Sequence, residues 1–124
     1  MDIEAIRAYC LLKKGVEEGF PFGDSTLVIK VGGKIFLLMN LDGDPSMNLK
    51  CDPDLAIELR EANPAILPGY HMNKKHWNTV TLDGSLSKKL ILEMIDHSYD
   101  LVFQSLPAKL RLEIEQVNLK NYGI

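Results

Sequence analysis

Apolar and polar residues alternate along four segments of the chain, which predicts a β-sheet. The segments are TLVIKV from Thr26, KIFLLMNL from Lys34, MNLKC from Met47 and HWNTVTL from His76. Gly32-Gly33 predicts a two-residue hairpin turn between the first two segments, and DGDPS predicts a longer turn before the third. We therefore predict a mainly antiparallel meander.

Helical spacing of apolar residues predicts four helices, at about 3–14, 53–62, 87–105 and from Pro107 to about 117. Asp2, Asp52 and either Ser85 or Ser87 are the expected N-caps. The segments VEEGFPFGDS and NPAILPGYHMNKK are predicted to be loops because they are rich in glycine and proline. Residues 1–124 are thus expected to form one α+β domain, a mainly antiparallel sheet backed by helices.

Strand alternation divides the side chains of the sheet into two faces. The expected inner face, covered by helices, is mostly apolar: Leu27, Ile29, Val31, Ile35, Leu37, Met39, Leu41, Met47, Leu49, Cys51, Val80 and Leu82, with His76 and Asn78. The expected outer face is mixed: Val28, Lys30, Lys34, Phe36, Leu38, Asn40, Asn48, Lys50, Trp77, Thr79 and Thr81. A slip of one residue in the pairing of a strand would reverse its assignment.

Aromatic side chains among lysines on an open sheet are typical of surfaces that stack bases and neutralise phosphates. The alternative is that a helix or a partner subunit covers Phe36 and Trp77, and that the lysines form a solvated rim. The sequence leaves both readings open.

The composition and charge of the chain exclude some classes of protein. The 124 residues are 46% hydrophobic and 25% charged, which is ordinary for a globular domain. The net charge of −3 argues against a dedicated duplex-DNA binder. The absence of a signal sequence and of an 18-residue apolar run, together with only two cysteines, predicts a reduced cytosolic protein with no membrane partner.

The segment PGYHMNKKHWNTV, residues 68–80, contains many side chains of the types that act in catalysis, metal binding or anion binding. His71 and His76 are five residues apart, which is not the spacing of a zinc-binding helix. Cys51 could pair with a histidine as a nucleophile, but it is expected to be a buried core residue. We therefore predict no catalytic residues, no metal and no cofactor. His97 is expected to be exposed near Glu93 and Asp100.

Four stretches resemble the MmcQ/YjbR family: FPFGDSTLVIKVGGKIFLL, NLKCDPDLAIELR, PGYHMNKKHWNTVTLDG and IDHSYDLVFQSLPAKLR. The resemblance runs from about Phe20 to Arg111. It implies a CyaY-like α+β domain and a DNA-binding role through two "wing" hairpins, which here would be the turns at Gly32-Gly33 and Asp42–Ser46. The second turn carries Asp42 and Asp44, which are unfavourable next to phosphate. The family implies no catalytic residues.

The first functional hypothesis is a non-catalytic binding domain for nucleic acid. Its candidate contacts are Lys30, Lys34, Lys50, His71, Lys74, Lys75, His76 and Trp77. The second is a protein-interaction or chaperone-like module that uses Phe36, Leu38 and Trp77 to bind a partner or a second copy. The third, ranked last, is an enzyme or metal protein at Cys51, His71 and His76.

Overall fold

Six antiparallel strands form one sheet in the order β1-β2-β3-β4-β6-β5 in a computed structural model. The structure describes residues 1–70 and 72–121, with side chains as far as residue 116. The strands are β1 (Val16–Gly19), β2 (Thr26–Val31), β3 (Lys34–Asn40), β4 (Ser46–Lys50), β5 (Ile66–Pro68) and β6 (Trp77–Thr81). The predicted α+β fold with a mainly antiparallel sheet is confirmed. Both glycines of the Gly32-Gly33 turn have positive φ, as the predicted hairpin requires.

Four helices, α1 (Ile3–Leu11), α2 (Pro53–Ala62), α3 (Lys88–Gln104) and α4 (Ala108–Asn121), accompany the sheet. Asp2, Asp52 and Ser87 accept hydrogen bonds from the first turns of α1, α2 and α3, so the predicted caps are confirmed, with Ser87 chosen over Ser85. Helix α1 ends three residues earlier than predicted. Lys13 lies beyond its end and binds Asp96 of α3.

Two strands occupy segments that were predicted to be loops. Val16–Gly19 pairs with β2, and Ile66–Pro68 pairs with β6, so each forms one edge of the sheet. They contain four and three residues. Strands this short form only because they pair with a neighbouring strand. The glycines and prolines around them are typical of loops, so the sequence pattern did not predict a strand in either segment.

A β-bulge in β3 corrects the predicted faces. Ile29 pairs with Leu37 but Lys30 pairs with Ile35, which leaves Phe36 as an extra residue. Phe36 is fully buried in the core, so its predicted place on the outer face is wrong. Opposite residues of a pair share a face of the sheet. Lys34 lies opposite buried Val31, so its predicted place on the outer face is also wrong. Ile35 lies opposite Lys30 and is therefore on the outer face.

The core lies between the inner face of the sheet and the helices. Most of the predicted inner-face residues are buried, and the exceptions are Ile35, Leu41 and the two residues that flank β6, His76 and Leu82. Phe36 and Ile66 belong to the core although neither was predicted there. Helices α1, α3 and α4 contribute Ile6, Ile95 and Ile114, among others. Within the described residues, no helix has the length and apolar character needed to cross a membrane.

Candidate functional site

The outer face of the sheet lies opposite the face that packs against the helices. Asn48 pairs with Thr79, and Lys50 pairs with Trp77, so all four side chains lie on this face. Each of them is partly exposed. The Thr79 hydroxyl donates to Asn48 Oδ1 at 2.6 Å, which fixes the orientation of the Asn48 amide. The centre of the face is therefore polar and neutral, with a lysine and a tryptophan at one end.

A groove of about 570 Å³ runs over this face. Phe22, from the loop after β1, and Met72, from the loop before β6, contribute to its lining. Between them lie Leu38 and five polar side chains: Thr26, Asn40, Ser46, Asn48 and Thr79. Phe22 is 68% exposed, which is high for an aromatic side chain and leaves its ring accessible to a ligand.

The candidate lysines do not form one continuous cluster. Lys30 lies opposite Glu17 of β1, so an acid offsets its charge locally. Lys34 is displaced by the bulge, as described above. Lys50 remains on the outer face beside Trp77. Lys74 and Lys75 are exposed in the loop before β6.

The loop that joins β5 to β6 is held in place by backbone hydrogen bonds. Gly69 N donates to Trp77 O at 2.9 Å, and Cys51 N donates to His76 O at 2.7 Å. A Cβ atom on Gly69 would lie 2.9 Å from Trp77 Cβ, so the close approach of the loop to β6 requires glycine. His71 lies outside the described residues, so its predicted contact stays a prediction. His76 is half-buried at the start of β6.

His97, which the sequence did not pair with Cys51, lies at the same cavity as Cys51, whereas His76 contacts Cys51 through a backbone hydrogen bond. Cys51 and His97 line the same small cavity between α2 and α3, and His97 Nε2 accepts a hydrogen bond from Asp52 N at 3.1 Å. Burial, followed by the nearby Asp52 carboxylate, raises the pKa of Cys51 to about 11. Cys51 is therefore a protonated thiol at neutral pH and a poor nucleophile. Across residues 1–70 and 72–121, no group of three or more His, Cys, Asp or Glu side chains could hold a metal ion.

Sequence reasoning missed much of the groove lining. Phe22 and Met72 lie in segments that were predicted to be loops and carried no expected role. The only sequence signal was the FPF motif within a loop rich in glycine. Thr26 and Ser46 were not assigned to a face, although Thr26 shares the parity of Lys30 along β2.

The family model named YjbR matches residues 11–101. The chain belongs to the YjbR family. It is 45% identical to the protein YbdF of Escherichia coli O157:H7 over 76% of this chain and 78% of that protein. It is also 34% identical to the protein YjbR of Escherichia coli K12, over 94% of this chain and 100% of that protein. Both relatives are described as uncharacterized, so they support the family without assigning an activity.

Solved structures support the fold of this YjbR-family chain. The crystal structure of the Deinococcus radiodurans protein DR2400, described as a DUF419 domain, matches with a TM-score of 0.86 and 41% identity. The match covers 91% of this chain and 87% of that one. A crystal structure of a Pseudomonas syringae protein matches with a TM-score of 0.73 and 29% identity, over 82% of this chain and 99% of that one.

Proposed function

We propose that this YjbR-family chain is a non-catalytic binding domain that holds single-stranded nucleic acid on the outer face of its sheet. The observation that carries the proposal is the groove between Phe22 and Met72, which has a polar floor. The Lys50–Trp77 pair is the next pair on the same face after Asn48–Thr79, which lines the groove. Exposed aromatic rings can stack bases of any sequence. The Asn48 amide can contact base edges, because its Oδ1 is already oriented by Thr79.

The charges favour a single strand over a duplex. The net charge is −3, and the turn after β3 carries Asp42 and Asp44, which would repel the closely spaced phosphates of a double helix. Lys50, Lys74 and Lys75 remain to contact phosphates. A flexible single strand can follow these few cations and keep its bases over the groove, whereas a rigid duplex cannot.

The test is fluorescence anisotropy with a labelled single strand of about twelve nucleotides, a length within the site sizes of OB-fold single-strand binders. Binding should weaken as salt rises, with a slope of log K against log[salt] of about −0.7 for each phosphate contacted. A matched duplex should bind more weakly. Trp77 is the only tryptophan, so quenching of its fluorescence reports contact at this face directly.

Matched charge reversals make the test specific. Lys74→Glu with Lys75→Glu should abolish most of the binding. Lys88→Glu with Lys89→Glu makes the same charge change on exposed residues at the start of α3 and should weaken it far less. Equal loss in both double variants would mean a non-specific charge effect. A flat salt response would contradict the proposal.

A second candidate, a protein-interaction module, is favoured by two exposed aromatic side chains in the loops that follow the edge strands. Phe20 is 50% exposed and Tyr70 is 71% exposed, in the loops after β1 and after β5. A partner protein or a second copy of the chain would cover them. In that case Phe20→Ser should abolish the association of the chain with its partner or with a second copy, as measured by light scattering. Added nucleic acid should not reduce that association.

A further inference from the structure

A second pocket on the outer face adjoins the groove of the proposed function, at the edge of the sheet formed by β1 and β2. Its volume is about 410 Å³, which is within the range of small-molecule sites. Gly19 of β1 pairs with Val28 of β2, and both line the pocket. Val28 in turn pairs with Leu38, which lines the groove. Opposite residues of neighbouring strands are about 5 Å apart, so the pocket and the groove lie side by side along one row of the sheet.

The lining of this pocket combines an aromatic ring with two opposite charges. Phe20, which is 50% exposed, contributes the ring. Glu17 and Lys30 are cross-strand partners and line the pocket from the outer face. Neither of them forms an ion pair with another side chain that the structure describes. The other acid of the lining, Glu18, is already bound by Arg7. Glu17 therefore offers two acceptor oxygens to a ligand, and Lys30 offers a cationic donor.

We propose that this pocket binds a guanine base of the single strand, in an arrangement set by three of its side chains. The Phe20 ring stacks against the base. The Glu17 carboxylate accepts hydrogen bonds from guanine N1–H and from the 2-amino group, and the Lys30 ammonium donates one to guanine O6. The inference rests on the proposed function and adds a preference for one base to it.

Guanine fits these two charges better than the other bases do. Its Watson–Crick edge carries two adjacent donors, which match the two oxygens of one carboxylate. Adenine and cytosine present a single amino group beside an acceptor nitrogen, and that nitrogen would lie against a carboxylate oxygen. Thymine and uracil present one N–H between two carbonyl oxygens. Two acceptors in contact leave hydrogen bonds unmade, so the carboxylate disfavours these four bases.

Three labelled strands of twelve nucleotides test the base preference of the full chain by fluorescence anisotropy. Each strand carries thymine at every position except one central position, which is guanine, hypoxanthine or adenine. Hypoxanthine is guanine without the 2-amino group. The dissociation constant should be lowest for the guanine strand and at least about fivefold higher for the adenine strand, since bidentate recognition of a base edge gives at least that discrimination. The hypoxanthine strand should lie between them.

Two matched substitutions locate the preference. Glu17→Gln should bring the dissociation constants of the guanine and hypoxanthine strands together, because the amide offers only one acceptor oxygen. Glu61→Gln is the control, since it neutralises an exposed residue of α2 that does not line the pocket, and it should leave the preference unchanged. Both variants remove one negative charge, so the ratio of the two dissociation constants separates the effect of the pocket from that of the net charge.

Gly19→Val fills the pocket without straining the backbone. A Cβ atom on Gly19 would have no atom within 4 Å, and the φ of Gly19 is not positive. The new side chain would lie on the same face as Val28, its cross-strand partner. This variant should therefore leave the three strands with similar dissociation constants.

Equal dissociation constants of the three strands for the unmodified chain would overturn the guanine pocket, as would a guanine preference that survives Glu17→Gln and Gly19→Val. Either result leaves the proposed single-strand function standing. If none of the strands binds, the proposed function fails, and NMR titration with free mononucleotides decides about the pocket. Saturable shifts at the Gly19 amide and the Val28 methyl groups with guanosine monophosphate, and not with adenosine monophosphate, would support guanine recognition. The absence of such shifts would overturn it.

Discussion

Ser98 of α3 donates its hydroxyl hydrogen to the Phe36 carbonyl oxygen at 2.6 Å, at the bulge in β3. The same Oγ accepts a hydrogen bond from Lys50 N at 2.9 Å. The regular pairing of β3 with β4 extends only to Leu37 and Leu49, so these two backbone groups lie just beyond it. The hydroxyl of one helix residue thus replaces the hydrogen bond that the bulge removes from the sheet.

Ser98→Ala should lower the free energy of unfolding by about 1–3 kcal/mol, since it leaves a buried donor and a buried acceptor unsatisfied. Urea denaturation should show a lower midpoint with an unchanged m-value. Ser105→Ala is the control. It removes a hydrogen bond to Val102 O from an exposed serine at the end of α3, and a change near zero is expected. Equal effects of the two substitutions would contradict the bridging role of Ser98.

The two glycines of the β2–β3 turn should differ in their tolerance of substitution. Gly33→Ala should cost about 1–2 kcal/mol, because φ is +83° there but no atom lies within 4 Å of a new Cβ. Gly32→Ala should cost more, since its Cβ would lie 2.6 Å from a Leu106 methyl carbon in addition to the positive φ of +56°. Thermal unfolding of both variants checks the order, and a larger loss for Gly33→Ala would refute it.

Asp96 of α3 accepts hydrogen bonds from the Tyr9 hydroxyl and the Lys13 ammonium, each at 2.6 Å. Burial alone would raise the pKa of Asp96, but these two hydrogen bonds and the charge of Lys13 outweigh it and hold that pKa below its ordinary value of 3.8. The hydrogen bond to Asp96, followed by burial, raises the pKa of Tyr9 to about 12. The cluster attaches α1 and the residues after it to α3.

This cluster predicts a loss of stability at both extremes of pH. The contribution of Asp96 is present above 3.8 and is lost as the pH falls through its lower folded-state pKa. The contribution of Tyr9 is present below 10.0 and is lost as the pH rises through about 12. Asp96→Asn should flatten the acid limb of the stability profile, and Tyr9→Phe the alkaline limb. Unchanged profiles in denaturation across pH would contradict this assignment.

Both cysteines should react slowly with thiol reagents in the native protein. Burial raises the pKa of Cys10 to about 12, and burial with Asp52 raises that of Cys51 to about 11. At neutral pH the thiolate fraction of Cys51 is then about one in ten thousand. Alkylation should accelerate sharply in denaturant. Fast native labelling of Cys51 would revive the hypothesis of a cysteine nucleophile.

Most of the fold followed from local patterns in the sequence. The cap at Asp52, the proline at the first position of α2 and the paired glycines of the hairpin each act through a few neighbouring residues, which the sequence displays directly. The two edge strands were missed because their existence depends on pairing with β2 and β6. A serine hydroxyl in the middle of a helix commonly bonds back to the preceding turn of its own helix, but that of Ser98 bonds to the sheet. Its partners lie in β3 and β4, and nothing local identifies them.

The candidate site was predicted less well than the fold, and the reason is the bulge. The alternation of side chains assigns residues to faces only if the strands pair regularly. The extra residue in β3 reverses the face assigned to each β3 residue between the bulge and the Gly32-Gly33 turn. Lys34 and Phe36 were misplaced for that reason. Asn48, Lys50, Trp77 and Thr79 lie in regularly paired strands and were placed correctly. The groove is also lined by Phe22 and Met72, which lie in two different loops. The sequence of a loop does not determine where that loop lies relative to the sheet, so the groove could not be predicted.

The short edge strands also bear on how the chain avoids aggregation. Strand β1 offers only four residues, two of which are Glu17 and Glu18, and β5 ends at Pro68, which has no N–H to donate. Edges that are short, charged or closed by proline are poor templates for adding a strand from another molecule. Two copies that meet would therefore join through side-chain surfaces and would not extend the sheet from one molecule into the next.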